Sequence, residues 1–485
     1  MKKFSLGAGM LVVAGTFTMF GLPAVAQQYE AAGVLRAAAI KLGSNEINTL
    51  RYSAAGNTWF LGQAYTAGKA YPKMNYRVIR SIDFNNAAMT DEIARSRTNP
   101  RGGSGVPYFG AQNITEAVGN NVAWNVVNMN IVPETLVVDR VAQIWLNPHG
   151  IIKSAQKNNA TLSFATEGKK SLAVVSFTEP GRFNAKAYIN DAAEVERIEA
   201  VIPHPVLGDM LVVEKFSEYR EFGRTRFPTR IEETQGGFPT MQLVVTDVQP
   251  NAKVAITVPP AAANFKMNVA STKLADGVWF LAGGSHNSVA IEMKDHAVVV
   301  EAPLSDVRSQ AVLDETMKLI PGKPIRFLLN THTHFDHSGG VGTFAAVGAT
   351  IVTHRNNKAY LERALAGKRT VSPDAFAQSK KKANVRGVGD KFVHSDGNRS
   401  IEMHLLKGSI HNDAAMLVYL PKEKLLIQAD HPGGIPPGAK PPANLDPRLP
   451  NMLETVERLK LDVVRVAPMH GPVHAYADVK RVMGK

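Results

Sequence analysis

Histidines and an aspartate are concentrated in one short stretch of the chain, where they could bind metal ions. Residues 331–340 read THTHFDHSGG, so four residues of metal-ligand type fall within six consecutive positions. If the backbone is extended there, His332 and His334 point the same way and two imidazoles can reach one ion. Asp336 and His337, beyond the bend that follows, can face a second ion. The stretch therefore predicts a site for divalent cations that accept nitrogen and carboxylate ligands.

The composition limits the chemistry that the chain can use. It has 485 residues and no cysteine, which excludes thiolate metal sites, iron–sulfur clusters, disulfides and a cysteine nucleophile. The hydrophobic fraction is 45% and the charged fraction 20%, so a folded core is expected, and the length indicates more than one domain. The formal net charge is +13, but the longest basic run is Lys380–Lys382. We therefore expect no nucleic-acid partner. The expected substrate is a small or lipid-like molecule, and the sequence does not indicate an oligomeric state.

The first residues have the pattern of a secretory signal peptide. Two early lysines precede an apolar run, and Ala24-Val25-Ala26 forms a cleavage site of small residues. A transmembrane anchor is the alternative, but Gly and Thr interrupt the apolar run. We expect a signal peptide at about residues 1–26, a mature protein without a transmembrane segment, and a periplasmic or secreted location.

Histidine usage and a Pro/Ala-rich segment divide the chain near residue 268. Only two of the 14 histidines lie before that position, and a linker is predicted at 258–268. At 27–257, strand-like runs separated by turn dipeptides predict a mostly antiparallel β accessory domain with one or two helices. At 269–485, strands alternate with helices and predict an α/β catalytic domain.

The histidine-rich motif and three later segments together resemble the metallo-β-lactamase-fold hydrolases. The later segments read GSIHND, LLIQAD and VVRVAPMHG. In chain order they supply His411 in a Gly-rich turn, Asp430 at the end of a strand and His470 after a late strand. The resemblance covers about residues 270–480 and implies an αββα sandwich.

This resemblance implies a dinuclear metal centre. In this assignment the first ion is bound by His332, His334 and His411. The second ion is bound by Asp336, His337 and His470, and Asp430 bridges the two ions. Zinc is the expected metal, with iron or manganese as alternatives. Two close cations lower the pKa of a shared water toward neutrality. Asp336 is also expected to orient the resulting nucleophile, which makes it the predicted catalytic residue.

Three further residues are predicted to lie near the centre. His286 and Asn287 belong to a loop that flanks the site in this fold, and they are predicted substrate contacts. Glu301 stands where many relatives have an aspartate after the second long strand. It is a predicted hydrogen-bond partner of a ligand histidine, although its side chain is longer.

The predicted function is a secreted or periplasmic hydrolase that uses a metal-bound hydroxide to cleave an ester, lactone, thioester or related bond. A β-lactamase is one alternative, but the groups with a cysteine ligand are excluded and the remaining group generally lacks the bridging carboxylate that Asp430 supplies. A mononuclear iron oxygenase of the same fold is another. A third is an envelope carrier for an apolar ligand with a secondary metal domain, because residues 218–230 (EYREFGRTRFPTR) resemble segments of envelope lipoprotein-carrier half-barrels.

Overall fold

The computed structural model describes residues 24–98, 110–442 and 445–484, whose strands form three sheets. The predicted signal peptide falls mostly on residues 1–23, which lie outside the described residues. Residues 24–26 open the first helix. Within the described ranges, no helix combines the length and the apolar character needed to cross a bilayer.

The N-terminal half is one long antiparallel sheet with helices packed against it. Its described elements are α1 (Ala24–Leu42), β1 (Thr49–Trp59), β2 (Lys73–Asp83), β3 (Ala88–Arg97), β4 (Gln112–Gly119), β5 (Val122–Val127), β6 (Asn130–Glu134), α2 (Val137–Trp145), α3 (Pro148–Lys157), β7 (Thr161–Glu167), β8 (Lys170–Glu179), β9 (Phe183–Ile189), β10 (Val195–His204), β11 (Gly208–Phe222), β12 (Thr225–Gln235) and β13 (Phe238–Pro250). Described strands follow the order β6-β5-β4-β3-β2-β1-β13-β12-β11-β10-β9-β8-β7. Two meanders are thus joined where β1 pairs with β13, and the predicted antiparallel β domain is confirmed.

One face of this sheet is buried under α1, α2 and α3. Along β9, Phe183, Ala185 and Ala187 are buried and alternate with exposed residues, as one covered face requires. Buried apolar residues of α1 recur at helical spacing, with Leu35 and Leu42 in the same apolar cluster as Phe183. Burial of these apolar side chains is the main stabilising contribution to this domain.

Strand β1 is longer than the sequence pattern indicates. The residues predict two separate runs, Thr49–Ser53 and Thr58–Gln63, because Ala and Gly between them have low β-propensity. The structure has one strand from Thr49 to Trp59, since pairing with β2 and β13 on both sides stabilises the intervening residues. Residues 60–63 of the second predicted run lie outside the strand. At Gly56 a Cβ atom would lie 2.1 Å from the carbonyl oxygen of Gln242, so glycine permits the close approach of β13.

His149 is buried in the apolar core of this domain. Its ring stacks on Phe227 with centroids 5.8 Å apart, and its Nδ1 lies 2.8 Å from Ser44 Oγ. Burial lowers the pKa of His149 to about 3. In the unfolded chain a histidine has a pKa of about 6.5. Below that pH the unfolded state therefore binds a proton that the folded state does not, and the stability falls as the pH falls toward 3.

We expect His149→Gln to weaken the acid sensitivity of the fold, because glutamine can still pair with Ser44 but does not titrate. The free energy of unfolding of the parent protein should lose up to about 1.4 kcal/mol per pH unit through this one histidine. Urea unfolding between pH 7 and 4, with chelator present for both proteins, measures the two slopes. Equal slopes would contradict the expectation.

Residues 258–268, the predicted linker, are partly packed against the N-terminal sheet. They contain the short helix α4 (Pro260–Ala263), in which Ala262 is buried. Ala262 shares a small apolar cluster with Ala117 of β4 and Trp124 of β5. This part of the linker therefore has a fixed position on the first domain.

The C-terminal half contains two mixed sheets. Its described elements are β14 (Ala270–Ala275), β15 (Val278–Ala282), β16 (Ser288–Glu292), β17 (Ala297–Val300), α5 (Asp306–Leu319), β18 (Ile325–Leu329), α6 (Phe335–Ser338), α7 (Val341–Val347), β19 (Thr350–His354), α8 (Arg355–Leu365), α9 (Ala375–Ser379), β20 (Asn384–Val388), β21 (Lys391–Ser395), β22 (Ser400–Leu405), β23 (Met416–Leu420), β24 (Leu425–Gln428), α10 (Arg448–Leu459), β25 (Arg465–Pro468), β26 (His474–Ala475) and α11 (Tyr476–Val482). The described strands run β14 to β20 in the first sheet and β21 to β26 in the second.

Three apolar clusters show how these elements are layered. One cluster contains Val289 and Leu329 of the first sheet together with Val418 of the second, so the two sheets face each other. The outer face of the first sheet packs against α5, α7, α8 and α9. The outer face of the second sheet packs against α10 and α11. The layers are helix, sheet, sheet and helix, which confirms the predicted αββα sandwich.

Candidate metal centre

The predicted ligands meet because their loops leave the two sheets at one edge of the sandwich. Parallel strands β17 and β18 end together in the first sheet, as do β24 and β25 in the second. The loops after these strands carry, in chain order, Glu301, the histidine-rich motif, Asp430 and His470. His411 precedes β23. Because β23 is antiparallel to β24, β23 starts at the edge where β24 ends, and His411 lies at that edge.

The first group of ligands consists of His332, His334, His411 and Asp430. One ligand atom from each lies within 4.8 Å of the others, and all four residues are buried. His332 Nε2 is 2.9 Å from His334 Nδ1 and 3.3 Å from His411 Nε2. Three imidazoles thus converge on one point, with nitrogen atoms facing each other.

The second group contains Asp336, His337, His470 and, in addition, His286. His337 Nε2 is 3.3 Å from His470 Nε2 and 3.4 Å from Asp336 Oδ2. His286 Nε2 lies 3.1 Å from Asp336 Oδ2, among the ligand atoms of this group, and its contact with a substrate stays a prediction. The second group is the more open, because the side chains of His470 and Asp336 are 28% and 19% exposed.

Asp430 lies between the two groups and contacts both. Its Oδ2 is 3.1 Å from His332 Nε2 and 2.9 Å from His337 Nε2. Its Oδ1 is 2.9 Å from His470 Nε2. The carboxylate therefore occupies the position that a bridging ligand needs.

The electrostatics of the first group fit a bound cation. Burial lowers the pKa of His332 and His334 to about 3 and that of His411 to about 4, so these rings are neutral at pH 7 and can present lone pairs. Burial alone would raise the pKa of Asp430, but the imidazoles around it, His337 first, hold that pKa well below its usual value. The buried Oδ2 of Asp430 lies 3.1, 2.9 and 3.0 Å from the Nε2 atoms of His332, His337 and His411. Several imidazole nitrogens converging on a buried carboxylate oxygen form the environment that a divalent metal ion stabilises.

Glu301 is a hydrogen-bond partner of His337, a member of the second group. It is fully buried, and its Oε2 accepts a hydrogen bond from His337 Nδ1 at 2.9 Å. Its Oε1 accepts from the backbone N–H of Thr331 at 2.7 Å. The bond at Nδ1 fixes the ring so that His337 Nε2 points at the group. The same carboxylate therefore orients one ligand and fixes the start of the histidine-rich motif.

Asn287 is committed to backbone groups. Its Nδ2 donates to the carbonyl oxygens of Pro468 and Gly471 at 3.2 and 2.9 Å. These carbonyls flank His470, so the Asn287 amide holds the loop that carries this ligand. A substrate contact by Asn287 stays a prediction.

Sequence reasoning missed the contribution of the N-terminal domain. Between β1 and β2, Gln63 Nε2 donates to Asp336 Oδ1 at 2.8 Å, and Ala64 O lies 3.0 Å from His334 Nε2. These contacts connect residues 273 and 270 positions apart. Neither residue type nor local spacing marks Gln63 or Ala64 in the sequence.

Comparisons with known proteins find similarity in the C-terminal part of the chain. Residues 281–480 match the family model described as the metallo-beta-lactamase superfamily. Similar solved structures include a metallo-beta-lactamase from Pontibacter korlensis, with 18% identity, 45% of this chain and 98% of that chain covered, and a TM-score of 0.34. DIM-1 metallo-beta-lactamase has 19% identity, with 45% of this chain and 97% of that chain covered and a TM-score of 0.34. No curated protein matches the sequence.

Proposed function

We propose that this protein is a dinuclear metal-dependent hydrolase, because residues 281–480 match the family model of the metallo-beta-lactamase superfamily. The observation that carries the proposal is the pair of His/Asp groups that share Asp430. The donor set is made of imidazole nitrogens and carboxylate oxygens, which suits zinc best among the common divalent metals. We also propose export from the cytoplasm, on the basis of the signal-peptide pattern at residues 1–26.

The chemistry follows from this ligand set. Two divalent cations bound there would acidify water and polarise a carbonyl or phosphoryl oxygen of the substrate. Burial opposes the ionisation of Asp336, but His337 and His286 hold the pKa of its carboxyl group well below the usual value. Asp336 is therefore an ionised carboxylate at the open side of the centre, where it can accept a hydrogen bond from water and orient it.

The substrate is expected to approach over the second group. Its members Asp336 and His470 have partly exposed side chains, whereas all residues of the first group are buried and His334 Nε2 contacts the Ala64 carbonyl. We propose an ester, lactone or thioester as the bond that is cleaved.

The test compares His411→Ala with the parent protein. We expect about two equivalents of divalent metal in the parent and a loss of the first ion in the variant, because His411 Nε2 is one of three imidazole nitrogens in that group. Turnover of a panel of esters, lactones, thioesters and β-lactams should fall by about 100-fold or more. Metal content by mass spectrometry and initial rates are the measurements.

His394→Ala serves as the control, because His394 lies on β21 and belongs to neither ligand group. It should keep both ions and the parent activity. Equal turnover by His411→Ala and the parent would overturn the proposal. A single iron per chain would indicate an oxygenase, and a parent protein without metal would indicate a carrier.

A further inference from the structure

The segment between β1 and β2 joins the N-terminal domain to the loops of the metal centre. Phe335 N donates to Gly62 O at 3.3 Å, and Asp413 N donates to Tyr65 O at 3.0 Å. These two backbone bonds reach the histidine-rich motif and the His411 turn. We refer to residues 62–66 as the docking segment.

Side chains of the docking segment add to this attachment. Tyr65 Oη donates to the carbonyl oxygen of Ser409 at 3.0 Å, and Thr66 Oγ1 donates to Asp413 Oδ2 at 2.6 Å. The segment therefore contacts the loops that carry ligands of both groups, and its position is defined by polar contacts on each side.

Gly62 allows this close approach. Its φ is +79°, and a Cβ atom there would lie 2.4 Å from the ring of Phe335. Phe335 also packs against His204 of the N-terminal sheet, with ring centroids 4.7 Å apart. A larger residue at position 62 would be strained and would displace the docking segment.

One contact sets the hydrogen position on a predicted metal ligand. Because the carbonyl of Ala64 can only accept, His334 Nε2 must carry the hydrogen in their 3.0 Å contact. A neutral imidazole has one such hydrogen, so the lone pair of His334 is on Nδ1. That atom is 2.9 Å from His332 Nε2, inside the first group. The N-terminal domain thus selects the tautomer that directs Nδ1 at the metal position.

A second contact gives the two carboxylate oxygens of Asp336 different partners. Gln63 is nearly buried, at 5% exposure, and its amide donates to Oδ1 at 2.8 Å. The other oxygen, Oδ2, faces His286 and His337 at 3.1 and 3.4 Å. With Oδ1 engaged by Gln63, the carboxylate presents Oδ2 to the second group.

We propose that Gln63 and the Ala64 carbonyl are positioning groups of the metal centre, so that the N-terminal domain is part of the catalytic unit. The inference deepens the proposed function and rests on its metal binding, but not on any particular substrate. It gives the first domain a role that its composition does not indicate.

The experiment measures metal affinity in Gln63→Met, which keeps the length of the side chain and removes the donor. Chelator competition with Co²⁺ should show the second ion bound about 10- to 100-fold more weakly than in the parent full-length protein, with the first ion little changed. The cobalt absorption spectrum should change at the same time, because Asp336 is no longer held. Tyr65→Phe is the matched control, since it removes a contact of the same segment that does not involve a metal ligand.

Each outcome decides the proposal. A selective loss in Gln63→Met, with parent affinity in Tyr65→Phe, supports it. Parent affinity in Gln63→Met, an equal loss in both variants, or no Co²⁺ binding by the parent overturns it. A parent that binds two ions but hydrolyses no member of the substrate panel overturns the proposed function alone, because the affinity measurement still tests Gln63.

Discussion

Replacement of Asp430 by asparagine is expected to release at least one metal ion and to abolish most of the turnover. Asp430 is buried, and its two oxygens contact imidazoles of both ligand groups. Asparagine keeps the shape but removes the negative charge and turns an NH₂ group toward one set of ligands. Loss of one partner from a buried ionic contact costs about 3–5 kcal/mol, which corresponds to roughly a 10²- to 10³-fold loss or more in binding or rate.

Asparagine is the appropriate substitution for a second reason. Asp430 has a φ of +60°, and asparagine tolerates this left-handed conformation better than most residues. Metal content and turnover of Asp430→Asn, compared with those of Asp413→Asn, provide the measurement. Asp413 lies near the His411 turn but belongs to neither group, so its variant should retain both ions. Two ions and normal turnover in Asp430→Asn would rule out a bridging role.

Replacement of Glu301 by alanine is expected to lower the affinity for the second metal ion and also to destabilise the fold. The variant leaves the N–H of Thr331 and the Nδ1–H of His337 buried without their acceptor. Each unpaired buried donor costs about 1–3 kcal/mol. Loss of an orienting partner of a ligand histidine typically costs about 10- to 100-fold in metal affinity. The φ of Glu301 is +72°, which strains alanine as much as glutamate, so the backbone adds little to the difference.

Urea unfolding in the presence of chelator measures the first effect, and Co²⁺ competition measures the second. Glu301→Gln is the graded control, because it can keep one acceptor and the volume of the side chain. The expected order of stability and of affinity is parent, then Glu301→Gln, then Glu301→Ala. If Glu301→Ala matches the parent in both measurements, the two hydrogen bonds have no energetic role.

The predicted ligands lie together in the structure for a physical reason, although His411, Asp430 and His470 were named only through the family resemblance. The four motif residues at 332–337 are close in space because they are close in the chain, and His411, Asp430 and His470 each adjoin a strand that ends or starts at one edge. Periodicity locates buried strands, and parallel neighbours bring their ends together. The alternation of strands and helices predicts an α/β domain, whereas the αββα order of the layers was implied by the resemblance to the metallo-β-lactamase-fold hydrolases.

The contacts that could not be predicted are those without a local constraint. His286 lies 50 residues from Asp336, and only the fold determines whether it faces a substrate or the second ligand group. Gln63 and Ala64 belong to the other domain, and their roles depend on how the two domains pack. Continuity of β1 through Gly56 likewise depends on strands far along the chain.

The docking segment also has a consequence for the order in which the protein matures. The contact between Gln63 and Asp336 closes a loop of 273 residues that contains most of the N-terminal sheet and the start of the second domain. Each doubling of the loop length adds only about 0.6 kcal/mol to the free energy of closing the loop. We therefore expect the formation of the Gln63–Asp336 contact to wait mainly for the folding of the enclosed domain. His470 follows the other predicted ligands in the chain, and the docking segment precedes them. If Gln63 orients Asp336 as proposed, we expect metal uptake at full affinity to be a late event that reports the folding and joining of both domains.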